Sequence, residues 1–227
     1  MFSGRTGAQI AVEAFERGHA VTLLTSHPEV VKDLRGGETS PSEGWAILTY
    51  RTFDDFQERM AEVIQPGGLD VVIHSAAVSD YRVEGVYAPA PETRFRPDGA
   101  RWESSAAGPG LVDVGAGKVK SDAPELWLRL VRTPKLVDRV RSDWGFRGVL
   151  VKFKLEVGVS DERLLEVAEH SRRQSAADLL VANTLEGAST WAYVGPLAGR
   201  YQRVSRREMP GCLLEAVERL HQEKGHG

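Results

Sequence analysis

Several short segments carry residues with chemistry to offer. Ser3-Gly4-Arg5-Thr6-Gly7 precedes a helical pattern. Its glycines let backbone N–H groups approach an anion, and a helix N-terminus adds partial positive charge. The spacing is Gly-x-x-Gly only, neither the dinucleotide fingerprint nor a P-loop with its lysine. A helix start that needs small residues for packing is an equal reading. Ser75-Ala76-Ala77-Val78-Ser79-Asp80-Tyr81 directly follows a strand pattern. Ala76 and Ala77 allow a planar ligand to lie against the backbone, and Asp80 can accept hydrogen bonds from ribose hydroxyls or hold a metal; a strand-end turn capped by Asp80 is the structural alternative. His74 reads as a packed strand residue.

Gly115-Ala116-Gly117-Lys118-Val119-Lys120 puts two lysines at the end of a loop, where a compact ammonium can swing onto a phosphate oxygen. A solvated surface pair is the other reading. Phe153-Lys154-Leu155-Glu156 alternates, so Lys154 and Glu156 share one side of a strand and Phe153 and Leu155 the other. Asn183 stands just beyond the apolar run Asp178 to Ala182, where an amide can orient a ligand or cap a turn. Arg200, Arg203, Arg206 and Arg207 form a basic patch that reads as an exposed face. No Ser-His-Asp arrangement or metal-ligand spacing stands out.

The elements that must position these residues alternate between helix and strand. A helix over Gly7 to Arg17 ends at Gly18, where a left-handed residue is favoured. Strands follow at His19 to Thr25 and Trp45 to Thr49, then a helix capped by Thr52 and stopped by Gly67-Gly68, then a strand at Leu69 to Ser75. Between Arg82 and Asp122 regularity is lost, with Pro89, Pro91, Pro97 and Pro109 and many glycines. Long loops of this kind in a compact domain are usually flaps, partner contacts or linkers, and this one reads as an ordered excursion with a hairpin at Arg94 to Ser104 turning on Pro97-Asp98-Gly99. Then come a strand at Leu126 to Val131, a helix at Pro134 to Trp144 opened by Thr133, a strand at Val149 to Phe153, a helix from Ser160 to Gln174, strands at Asp178 to Ala182 and Trp191 to Gly195, and a closing helix at Pro210 to Gln222. This order predicts an α/β, Rossmann-like three-layer fold with a mostly parallel sheet, in which ligands bind at the carboxyl ends of the strands. One domain over residues 1–227 is expected, with 82–122 as an insertion.

Composition narrows the partners. The chain has 227 residues, 41% of them hydrophobic and 27% charged, which suits one large domain with a proper core. Lys and Arg number 29 against 32 Asp and Glu, so the net charge of −3 gives no broad footprint for nucleic acid or anionic lipid. Any anion must be caught locally. Cys212 is the single cysteine, which excludes an intrachain disulfide and a multi-cysteine zinc site. With no apolar run long enough to span a membrane and no signal-like start, no membrane contact is expected and a cytoplasmic location is.

Taken together, SGRTGAQIAVEAFERGHAVTLL, HSAAVSDYR, GKVKSD, LVRTPKLV, VKFKLE and DLLVANTLEG resemble, in order and spacing over nearly the whole chain, the phosphopantothenate–cysteine ligases of coenzyme A biosynthesis, the DNA/pantothenate metabolism flavoprotein C-terminal domain family. The resemblance implies that CTP or ATP activates the carboxylate of 4′-phosphopantothenate as an acyl nucleotide, with loss of pyrophosphate, and that the amine of L-cysteine then attacks. It assigns Lys118 to the triphosphate and the developing charge, Asp80 to the ribose, Ala76, Ala77 and Phe153 with Lys154 to the nucleotide, Asn183 to ordering the site, and Ser3, Gly4 and Gly7 to the phosphates or the phosphopantothenate. It also implies Mg²⁺ on the phosphates, no flavin in this domain, no metal-ligating residue set of its own, and a homodimer in which the 82–122 excursion closes over the site and contributes to the dimer contact.

Three departures qualify the likeness. Phe153-Lys154-Leu155-Glu156-Val157 stands where bacterial CTP-dependent enzymes have Phe-Ala-Ala-Glu-Thr and is more like the eukaryotic ATP-dependent form. Ser171 and Ser175 replace a pair of lysines, leaving Arg172 and Arg173 as the available cations. The family also has a strand and a glycine-rich turn, then an Arg and an Asn, ahead of the segment that here reads Met1-Phe2-Ser3-Gly4. The first central strand is therefore expected to be encoded upstream, and its absence to leave two neighbours unpaired around an apolar slot. The alternatives are a nicotinamide-dependent short-chain reductase, which predicts a Tyr-x-x-x-Lys pair that no tyrosine here has, and a nucleotide-binding remnant without catalysis.

Overall fold

A computed structural model describes residues 4–36, 43–105, 107–115 and 123–225. The chain divides into two compact units, residues 1–78 with 136–227, and residues 79–135.

The larger unit begins with α1 (Arg5–Glu16), β1 (Val21–Thr25), α2 (Pro28–Leu34), β2 (Trp45–Thr49), α3 (Phe53–Ile64) and β3 (Val71–His74). Gly18 takes the left-handed conformation expected after α1, at φ +91°. Thr52 and Asp55 form a reciprocal capping box that opens α3. The short α2, led by Pro28, had no clear periodic signal in seven residues.

After residue 135 the unit continues with α4 (Leu136–Ser142), β9 (Val149–Glu156), α5 (Asp161–Gln174), β10 (Leu179–Thr184), β11 (Trp191–Leu197), β12 (Arg200–Ser205) and α6 (Met209–Gly225), β4 to β8 lying in the smaller unit described below. The expected opening of α4 at Thr133 is corrected: the helix starts at Leu136, because the Thr133 hydroxyl donates to the Ser79 carbonyl and its N–H to the Asp80 carbonyl.

Parallel ladders join β3 to β9 and β9 to β10, and β11 and β12 then add antiparallel, giving the order β12-β11-β10-β9-β3. β1 and β2 form a separate parallel pair. Strand alternation sorts the core into two layers. Val149, Val151, Leu179 and Val181 face α6 and Ile10 of α1, whereas Leu150 faces α3 and α4, and Leu180 and Ala182 face α5. Burial on both faces explains the apolar runs Val149–Val151 of β9 and Leu179–Ala182 of β10.

The smaller unit corrects the expectation of lost regularity. β4 (Tyr81–Pro89), β7 (Leu111–Asp113) and β8 (Trp127–Arg132) form an antiparallel sheet in the order β7-β4-β8. Bulges and prolines had hidden β4, whose register shifts between Val83 and Gly85. The strand expected near Leu126 pairs with β4 and not with the parallel sheet. The hairpin of β5 (Thr93–Arg96) and β6 (Arg101–Ser104) turns at Pro97–Gly99, as the sequence predicts. The rings of Phe95, Trp102 and Trp127 pack against one another edge-on or tilted, with centroids 4.5 to 5.3 Å apart. Among the described residues no helix is long and apolar enough to cross a membrane.

Thr52→Ala removes the side-chain half of the α3 cap and should lower unfolding free energy by about 1 kcal/mol, read from the denaturant midpoint. An unchanged midpoint would contradict the cap.

Candidate functional site

In the larger unit the carboxyl ends of β3, β9 and β10 lie along one edge of the sheet, and α1 begins at that edge. Gly4 precedes α1 at φ +71°, a conformation natural to glycine, and its carbonyl accepts the Ala8 N–H at 3.0 Å. A Cβ on Gly4 would sit 3.6 Å from Thr25 Oγ1 at the end of β1. At Gly7 it would sit 2.7 Å from Ser75 Oγ, just past β3, closer than real side chains come. Gly7 thus lets the first turn of α1 press against the end of β3, while Gly4 provides the left-handed backbone that starts the turn. Its unpaired N–H groups are delivered beside the Ser75-Ala76-Ala77 turn.

Gly4, Gly7, Ala76 and Ala77 line one cleft of about 1210 Å³, together with Thr6, His74, Ser75 and Arg206. Deeper in, the same cleft is apolar, walled by Leu23 and Leu24 of β1, Val71 and Ile73 of β3, and Leu214 and Val217 of α6. Among the described residues β1 is hydrogen-bonded to β2 alone, and β3 to β9 alone, so within them each strand turns an unpaired edge to a cleft that both of them line.

The other sequence candidates have distinct places. Lys154 and Glu156 share one side of β9, as the alternation requires, and form an ion pair at 2.9 Å. Phe153 is half-buried against the core layer of α6. Asn183 is half-buried on β10, opposite Leu155 of β9. These four stand toward the carboxyl end of the sheet and do not line the cleft. Asp80 belongs to the smaller unit, where its side chain is exposed and its carbonyl accepts the Thr133 N–H at 3.0 Å. Ser3 and Lys118 lie outside the described residues.

Two charged residues acquire roles that the sequence reading missed. Lys152 is only 7% exposed, a lysine in the middle of an apolar strand. Its ammonium donates to the Ser171 carbonyl at 3.1 Å and to Ser175 Oγ, and lies 3.8 Å from Asp138 Oδ1. The serines that replace the family's lysine pair thus receive a cation from the strand beneath them. Arg172 and Arg173, the alternative cations there, both bind Glu169, at 2.8 and 2.7 Å. The interruption of an apolar run by lysine was the signal for Lys152. Arg206 was grouped with an exposed patch; it is half-buried, and its guanidinium donates to Thr6 Oγ1. Of its neighbours in sequence, Arg203 stacks 4.3 Å over Trp191 and pairs with Asp161.

His74 ends β3 beside Lys152 of β9 and stacks on Phe56. Burial, reinforced by the Lys152 charge and opposed by Asp138, pushes its pKa down to about 4. Among the described residues no group of three or more His, Cys, Asp or Glu could hold a metal.

Residues 1–89 match the family model of the DNA/pantothenate metabolism flavoprotein C-terminal domain. Over those residues the chain is similar to that domain family. It is 31% identical over 224 residues to the coenzyme A biosynthesis bifunctional protein CoaBC of Thermococcus kodakarensis, covering 96% of this chain and 45% of that protein. The chain therefore spans a little under half the length of this relative. Among solved structures, the DNA/pantothenate metabolism flavoprotein from Streptococcus pneumoniae superposes with a TM-score of 0.71 at 24% identity, over 95% of this chain and 88% of that one. A Cab2 mutant in complex with phosphopantothenate-cysteine superposes with a TM-score of 0.67 at 17% identity, over 100% of this chain and 80% of that one. At these identities the superpositions establish the shared fold.

Because the folded pKa of His74 lies below the unfolded value of 6.5, the unfolded chain binds a proton that the folded chain refuses as pH falls from about 6.5 to about 4. Unfolding free energy should decline through that window and level off below it, and His74→Gln should flatten this part of the profile. A slope identical in the variant would contradict the assignment.

Proposed function

We propose that the chain is a phosphopantothenate–cysteine ligase domain, joining 4′-phosphopantothenate to L-cysteine with CTP or ATP as the driving nucleotide. The observation that carries the reading is the meeting of Gly4–Gly7 with Ser75-Ala76-Ala77 at the mouth of one cleft, on a chain homologous to CoaBC along nearly its whole length.

Acyl-nucleotide chemistry asks for three things: neutralised phosphates, a carboxylate held against the α-phosphorus, and exclusion of water from the mixed anhydride. The amides of the first turn of α1 supply the first in part. Ala76 and Ala77 leave room for the nucleotide against the backbone. Lys118 would place its ammonium on the triphosphate and the charge that develops as pyrophosphate leaves, with Asp80 on the ribose and Phe153, Lys154 and Asn183 ordering the rest of the site. The cysteine amine then attacks the acyl carbon, its C–N bond forms as the C–O bond to the nucleotide breaks, and the nucleoside monophosphate departs with the electron pair. Mg²⁺ would neutralise phosphate charge and would be supplied with the nucleotide, so that no carboxylate cage of the chain is required to hold it.

The smaller unit has a face suited to a second copy. Val83, Val112, Leu128 and Leu130, each at least half exposed, share one side of the β7-β4-β8 sheet by its register. Such an apolar patch favours association, and we assign it to a homodimer contact, with the excursion acting as a flap. We propose too that the apolar slot between β1 and β3 is filled by a further extended segment, parallel to both strands, because two rows of unpaired backbone groups facing an apolar cleft are costly to leave open.

Pyrophosphate release measured with 4′-phosphopantothenate, L-cysteine and either nucleotide should show turnover, and Lys118→Gln should reduce it at least about 100-fold while the fold is retained. Near-normal turnover in the variant would remove Lys118 from the mechanism, and release with neither nucleotide would favour the remnant reading. In amide hydrogen exchange of the 227-residue chain, Val21–Leu24 and Val71–Ile73 should exchange faster than β10. Equal protection would mean that the two edges are already closed.

A further inference from the structure

We infer that Arg206 is a phosphoryl-binding residue of the cleft, a role that deepens the ligase reading and rests on it for the identity of the substrate. The topology brings Arg206 to the site from the far end of the sequence. β11 is antiparallel to β10 and to β12, so β12 runs in the same direction as β3, β9 and β10. Its carboxyl end therefore shares their edge, and Arg206 is the first residue beyond it. The Arg206 N–H donates to the Thr190 carbonyl at 2.8 Å, which fixes this turn against the one before β11. The guanidinium reaches Thr6 Oγ1 and lines the cleft with Gly4, Gly7 and Ser75.

Its bonding is what sets it apart. Arg141 is held by Asp178, Arg172 by Glu169 and Arg203 by Asp161. Among the described residues Arg206 has no carboxylate, only the neutral hydroxyl of Thr6. A half-buried guanidinium with most of its N–H groups unused is poorly solvated and poorly paired, and the ligand that satisfies a planar fork of donors is an anion with several oxygens. Partial burial without a compensating charge lowers its pKa, in keeping with a cation that awaits its partner. Phosphoryl oxygens occur both on the acid substrate and on the triphosphate, and Arg206 would grip either by the same chemistry.

The test uses the full chain with inorganic pyrophosphate as probe, followed by steady-state kinetics. Pyrophosphate should raise the melting temperature of the wild type and of Arg207→Met, an exposed neighbour, and should fail to raise that of Arg206→Met. Thr6→Val, which keeps the cation and removes its one side-chain acceptor among the described residues, should retain the shift. In turnover, Arg206→Met should raise a KM by about 10- to 100-fold with a smaller change in kcat, the loss expected for a charge-assisted hydrogen bond. A rise confined to 4′-phosphopantothenate places Arg206 on the phosphate of the acid, and one confined to the nucleotide places it on the triphosphate. Arg206→Gln carries the same comparison should the Met variant fold poorly. An unaltered pyrophosphate shift with unaltered KM values overturns the inference while leaving the ligase reading intact. A pyrophosphate shift in the wild type that Arg206→Met abolishes, on a chain that shows no turnover, overturns the ligase reading and leaves the anion site standing.

Discussion

The candidate site depends on one close approach. The first turn of α1 presses onto the end of β3 because Gly7 has no side chain to hold it away, and Gly4 supplies the left-handed turn that opens the helix beside β1. A methyl group at position 7 would meet the Ser75 hydroxyl at 2.7 Å, so that either the hydroxyl turns away or the helix turn lifts. Lifting it would separate the unpaired N–H groups of the helix from the Ala76-Ala77 turn, and with them whatever anion the site binds. The apolar layers behind this contact serve to fix its position. β9 and β10 are buried on both faces, and buried strands place their carboxyl ends reproducibly.

Charge is arranged around that contact with some economy. Lys152 is sunk beneath the edge and tied to Ser171, Ser175 and Asp138, so it knits β9 to α4 and α5. Its charge helps keep the His74 imidazole neutral where β3 passes into the Ser75-Ala77 turn. Lys154 is neutralised by Glu156, and most other cations of the larger unit have carboxylates. Arg206 departs from this pattern, and it does so at the mouth of the cleft.

Much of the architecture was legible in the sequence because local signals and burial agreed. The strand Trp45–Thr49, the Thr52 cap, the left-handed Gly18 and the hairpin on Pro97-Asp98-Gly99 follow from periodicity and turn chemistry alone. The segments that escaped had weak or conflicting local signals. β4 is broken by Gly85 and a register shift, α2 is too short for a period, and β12 is an edge strand of charged and polar residues whose partner decides its conformation. The Gly4–Gly7 and Ser75–Ala77 segments could be read as site residues from their types. That they share a cleft is a fact of chain crossover. Arg206 looked like one of four surface arginines because no local feature tells which arginine folds inward, and the burial of Lys152 depends on Ser171, Ser175 and Asp138, which lie far from it in sequence.

The central claim is that a nucleotide binds where the first turn of α1 meets the end of β3. Backbone amide NMR of the chain on addition of CTP or ATP tests it most directly. The account predicts the largest shift changes at Gly4–Ala8 and Ser75–Ala77. Changes centred instead on residues of β11 and β12 away from this edge, with those two segments silent, would contradict it.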